Sequence, residues 1–184
     1  MPEALQEASP PSSAWTMLPH NGPMDPDASA LLRHLLHERP IAALATLHRG
    51  EPATSMVPFV FSPSEMQLLI HVSALATHTR DMLEHPRVSV LVTAEVDGAV
   101  SPQALPRASF VADAVPLEFD GSAYLDARER YLARFPDAVQ TFALGDFSMF
   151  ALRLQSARLV AGFGRAYGLA GESLEAVLRS TPSP

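Results

Sequence analysis

The chain has no cysteine and no lysine. Without cysteine it has no disulfide framework, no thiolate nucleophile and no cysteine-ligated metal. Without lysine it has no Schiff-base chemistry and no Walker-type phosphate loop. All 13 basic residues are arginine, so an anion must be met by guanidinium, hydroxyl or backbone N–H. Positive charge is also in short supply. With 20 acidic residues the net charge is −7, which argues against a nucleic-acid surface. No apolar run reaches the roughly 18 residues of a membrane helix, and the first residues lack the basic-then-apolar pattern of a signal peptide. The expectation is a soluble, cytoplasmic protein. No Ser–His–Asp order, carboxylate pair or glycine-rich nucleotide fingerprint stands out. Gly162-Phe163-Gly164 lacks the third glycine and the later acidic residue of a dinucleotide site, and reads as a tight turn.

At 184 residues the chain suits one domain with a real core. Residues 1–24 carry Pro10-Pro11-Ser12-Ser13, Pro19 and Gly22-Pro23 with little periodicity, and read as a disordered tail holding Trp15. Residues 25–184 form the domain. Asp25-Pro26 opens a helix whose stripe is Leu31, Leu32, Leu35 and Leu36, and Arg39-Pro40 closes it. His34 and His37 on that helix have no third ligand nearby and read as solvated. The period then changes. β-rich runs cover 41–47 and 53–61 around an Arg49-Gly50 turn, then 66–72, 88–93, 107–115, 147–154 and 157–163. Helical patterns cover 121–135, 137–144 and 172–178. Antiparallel runs joined by short turns, with helices in the connections, predict a mainly β fold. It would be a Greek-key-like antiparallel β-barrel with flanking helices, not a parallel α/β sheet.

The most informative stretch is 71–92. An apolar strand runs into a small-residue turn, a short helix opens at Thr77-His78-Thr79-Arg80, and Pro86 ends it near Glu84. Ser73, Thr77, Thr79 and Arg80 therefore crowd one corner. Free N–H groups, hydroxyls and a guanidinium there suit an anion, phosphate best, although an ordinary N-cap beside a solvated arginine has the same composition.

Several further segments keep a consistent order and spacing: Ala43-Leu44-Ala45-Thr46 with Gly50 and Pro52; Ser55-Met56-Val57-Pro58-Phe59; and Leu75 through Met82. His85-Pro86-Arg87-Val88-Ser89, Phe135-Pro136, Gly145-Asp146-Phe147 and Gly162 through Ala166 continue the series. Over residues 32–168 the chain resembles the FMN-binding split barrels related to pyridoxamine 5′-phosphate oxidase, in their heme-utilisation branch. The resemblance implies an intertwined homodimer with FMN at the interface. It places Ser55, Met56, Val57 and Pro58 along the flavin and Ser73 and Ala74 near its phosphate. His78, Thr79 and Arg80 would clasp that phosphate, with Arg107 reaching across from the partner chain. The implied function is an FMN-binding flavoprotein, an oxidoreductase on a small substrate. The alternatives are a heme-utilisation protein that binds or degrades heme, and a non-catalytic flavin or heme carrier. No catalytic residue and no metal ligand is assigned.

The departures from the family narrow this. The lysine and the C-terminal Arg–His segment of pyridoxamine oxidases have no counterpart, so vitamin B6 oxidation is not expected. Heme-degrading relatives ligate iron with a histidine near the C-terminus, oriented by an acidic residue. Here the last histidine is His85, and Asp146 stands at the acidic position. His71 and His78 are the remaining ligand candidates, against a structural role for each.

Overall fold

A computed structural model describes residues 24–96, 98 and 100–179. Apart from Met24, the expected tail and its Trp15 lie outside the described residues. Helix α1, Pro26–Glu38, starts where the Asp25 carboxylate accepts from Ala28 N–H at 2.8 Å and Pro26 presets the first turn. It stops because Pro40 pushes Arg39 out of α geometry, at φ −75° and ψ 125°. Its buried stripe is Ala28, Leu32, Leu35 and Leu36.

Strands β1 (Ile41–His48) and β2 (Glu51–Pro58) form a hairpin through Arg49 at φ +54° and Gly50 at φ +84°. That pair is the mirror-image two-residue turn whose twist matches paired strands. There follow β3 (Val60–Ser62), β4 (Gln67–Ser73), α2 (Thr77–Glu84), β5 (Arg87–Thr93) and β6 (Arg107–Pro116). Next come α3 (Ser122–Arg134), a 3-10 turn at Pro136–Ala138, α4 (Val139–Phe142), β7 (Phe147–Gly162), β8 (Arg165–Ala170) and α5 (Glu172–Arg179).

The strands make one antiparallel sheet in the order β2-β1-β5-β6-β7-β4-β3, with β8 added beside β7. The Greek-key-like connection through α2 carries the chain from β4 across to β5. Strands β2 and β3 stand at opposite ends of this order, yet a single residue, Phe59, joins them. Such a short link forces the sheet to curl until its edges face each other. The result is a barrel split between β2 and β4. Phe59 is fully buried at the seam and its N–H donates to Pro40 O at 3.1 Å.

Three sequence expectations need correction. The run 53–61 is not one strand but two, on opposite edges, because the chain breaks after Pro58 to cross the seam. The runs 147–154 and 157–163 are one 16-residue strand, in which a bulge at Gln155, opposite Val111 and Ala112, takes up the irregularity. Residues 165–170 form a further strand, β8, that the pattern did not reveal.

Inside the barrel, Leu44, Val57, Phe59, Ile70, Val90, Phe110 and Leu152 meet the α1 stripe. A second apolar layer, with Leu69, Met149, Tyr124 and Tyr131, lies where α3 and α4 cover β3, β4 and β7. No helix among the described residues is long and apolar enough to cross a membrane.

Candidate functional site

Strand β4 ends at Ser73, and the turn 74–76 leads into α2. Ser73 Oγ donates to Asp146 Oδ2 at 2.8 Å and accepts from Leu75 N–H at 3.1 Å. Ala74 N–H donates to Asp146 O at 2.6 Å, and Thr79 Oγ1 donates to Ser73 O at 2.7 Å. Two of the three hydroxyls expected at an anion, those of Ser73 and Thr79, are thus engaged in building the turn. Ala76, the N-cap, offers no side-chain bond. Thr79 N–H goes to Ala76 O at 3.2 Å, so the first turn of α2 presents the N–H groups of Thr77 and His78. Arg80 is exposed and has no hydrogen bond or ion pair among the described residues.

Across the split, His78 Nδ1 lies 3.0 Å from Ser55 Oγ on β2. The corner therefore unites Ser55, Ser73, Ala74, His78, Thr79 and Arg80, from three elements. Strand alternation divides the remaining β2 candidates: Val57 is buried inward with Ser55 on its side, whereas Met56, 62% exposed, and Pro58 take the opposite face. Ser55 through Pro58 do not form one continuous lining.

Register supplies a further property of β2. The two-residue turn makes His48 and Glu51 a hydrogen-bonded pair, and alternation makes Leu44 and Ser55 another. Residues 52, 54, 56 and 58 then point their backbone groups away from β1. Two of them are prolines, so the open edge carries just the N–H groups of Thr54 and Met56 as donors.

Arg107 is not brought to this corner within one chain. It opens β6, three strand spacings from β2, roughly 14 Å along the sheet. Its guanidinium donates to Gln103 O at 3.3 Å and Leu105 O at 3.0 Å in its own loop.

Sequence reasoning missed the group that seats α2. Asp81, buried under the helix, accepts from Thr46 Oγ1 at 2.8 Å, and His48 Nδ1 lies 2.9 Å from its other oxygen. Burial opposes its ionisation, but the hydrogen bonds from His48 and Thr46 and the charges of His48 and Arg80 hold its pKa below the usual carboxylate value. One signal was available: Thr46 and His48 occupy inward positions of a strand whose other inward residues, Ala42 and Leu44, are apolar.

The two histidines differ sharply. His71 is enclosed: its ring stacks on Phe142 at 3.7 Å, with Phe147 and Tyr131 beside it, and Nδ1 lies 3.3 Å from Thr141 Oγ1. Burial pushes its pKa down to about 4. His78 is half-buried. Burial lowers its pKa too, while the Asp81 carboxylate opposes that shift.

With the geometry in place, comparison with known proteins is decisive. The family model for pyridoxamine 5′-phosphate oxidase matches residues 28–161. The chain belongs to that family. Within it, this split barrel falls in the heme-utilisation branch. It is 30% identical over 145 residues to heme oxygenase HutZ of Vibrio cholerae, covering 78% of this chain and 81% of that protein. Among solved structures, a heme binding protein from Mycobacterium smegmatis is similar with a TM-score of 0.74 and 28% identity, over 83% of this chain and 62% of that one. This split barrel therefore spans less than two thirds of the mycobacterial chain. A crystal structure of HutZ described as a heme storage protein matches with a TM-score of 0.62 and 26% identity, over 72% of this chain and 91% of that one.

Proposed function

We propose that this split barrel binds heme and serves in its storage or breakdown. The observation that carries the reading is the likeness to a heme oxygenase over most of both chains. It ranks the heme alternative above the FMN-dependent oxidoreductase first expected from the sequence.

Heme is an apolar disc with two carboxylates and an iron that takes a neutral nitrogen ligand. The corner fits that description. Leu75, 83% exposed, offers apolar surface, Arg80 offers an unpaired guanidinium to a carboxylate, and the α2 N–H groups favour negative charge. Heme would supply the iron chemistry, and the chain would bind and orient it. FMN is the second reading, favoured by the same anion corner and by the open donors of Thr54 and Met56, which suit the edge of a flavin.

The active form is proposed to be a homodimer. Ile41, Met56 and Leu91 are exposed on one outward face of β2, β1 and β5, in a patch that a second copy would cover. Ser55, Met56, Val57, Pro58, Ser73, Ala74, His78, Thr79 and Arg80 stay as proposed cofactor contacts, and Arg107 as a contact from the partner chain.

Parallel titrations with hemin and FMN test the reading. A saturable Soret band at one equivalent of hemin, with FMN fluorescence unquenched, is expected. Quenching of FMN without a Soret change would return the flavin reading. Arg80→Ala should weaken the bound cofactor by about 1.5–3 kcal/mol, one to two decades in Kd. Arg87→Ala, whose side chain pairs with Asp113 at 3.0 Å, should leave it unchanged.

A further inference from the structure

We propose that His78 is the residue of this chain that ligates heme iron through Nε2, an inference that rests on the heme reading and assigns the iron a protein partner. The Ser55 hydroxyl, reaching from β2, holds Nδ1 at 3.0 Å. When Nδ1–H donates to Ser55 Oγ, the lone pair resides on Nε2, the state that a metal requires. Nε2 has no hydrogen-bond partner among the described residues. Arg39 Nε is the one fully buried side-chain polar atom without a partner among those residues, so Nε2 of the half-buried His78 is not sealed from solvent. The tether and the open nitrogen together describe a pre-oriented ligand.

The surroundings distinguish His78 from the other described histidines. Leu75, 83% exposed, lies in the turn just before it, and Arg80 is two residues further along the helix. An apolar disc with carboxylates finds both kinds of partner here. His48 is similarly held, by Asp81, but its exposed apolar neighbour, Leu47, points to the opposite face of β1. His71 lies against the Phe142 ring under α4, so a porphyrin would have to displace that element. His34 and His37 project from α1, with His37 edge-on to Phe61, and His85 caps the far end of α2.

The absence of cysteine makes the test clean. Wild type, His78→Gly, His78→Cys and Ser55→Ala would each be titrated with hemin and followed by absorbance and by electron paramagnetic resonance of the ferric complex. Wild type should give an imidazole-ligated spectrum. His78→Cys should change it to a thiolate-ligated one, a signature that can arise at no other position. His78→Gly should bind at least tenfold more weakly and recover the wild-type spectrum when free imidazole is added, which a merely structural ring would not explain. Ser55→Ala should keep the imidazole spectrum with roughly two- to tenfold weaker binding, the loss of one hydrogen bond. If His78→Cys and His78→Gly both retain the wild-type spectrum, this assignment is overturned while the heme reading stands. If wild type gives no Soret complex, both fall.

Discussion

His71 shows how one side chain couples chemistry to stability. Its ring is neutral because the aromatic box of Phe142, Tyr131 and Phe147 excludes the water that a cation needs. In the unfolded chain the same imidazole titrates near 6.5, and in the fold at about 4. Between those values the unfolded state binds the proton first, so stability is complete above pH 6.5 and declines as pH falls toward 4. His71→Gln can keep a hydrogen-bonding group for Thr141 and cannot titrate. The drop in urea midpoint between pH 6.5 and 4.5 should therefore be smaller in His71→Gln than in wild type; an equal drop would remove His71 from the account. Asp146 acts differently at this scale. Its carboxylate and carbonyl hold Ser73 and Ala74, and thereby the turn that starts α2.

Among the elements, the β1–β2 hairpin and the β2–β3 seam carry the largest local constraints. Gly50 sits at φ +84° with open space around the position of a Cβ, so the penalty of a side chain there is conformational, not steric crowding by neighbours. Gly50→Ala should cost about 1–2 kcal/mol in denaturant unfolding. Phe59 fills the junction where two sheet edges meet, and Phe59→Ala should cost about 3–5 kcal/mol. A loss near 1 kcal/mol there would mean that the seam can collapse around the cavity. The ends of α1 and α2 were readable because proline acts on its immediate neighbour: Pro40 stops the first helix and Pro86 the second. The break after Pro58 was not readable. An apolar run through Phe61 looks the same whether it stays in one strand or crosses to another edge.

For the whole molecule, the outward face of β2, β1 and β5 sets the prediction. Leu91, 37% exposed, is paired with Ala43 on one side and Ser109 on the other, away from the α2 corner. Leu91→Arg should shift sedimentation from a dimer toward the 19.8 kDa monomer, and a monomeric wild type at micromolar concentration would rule out the homodimer. At this scale the division between sequence and structure becomes clear. The sequence by itself determined that anions are met by arginine, that strands alternate from residue 41 onward, and that helices stop at prolines. Composition, a two-residue period and nearest-neighbour sterics are local properties. Only the tertiary structure decided that His78 meets Ser55 across 23 residues, that Thr46 and His48 seat Asp81, and that His71 is boxed while His78 is open. Those pairings depend on strand register and on how far the sheet curls before its edges face each other. No short window of the chain encodes either, because closure is a property of all the strands together.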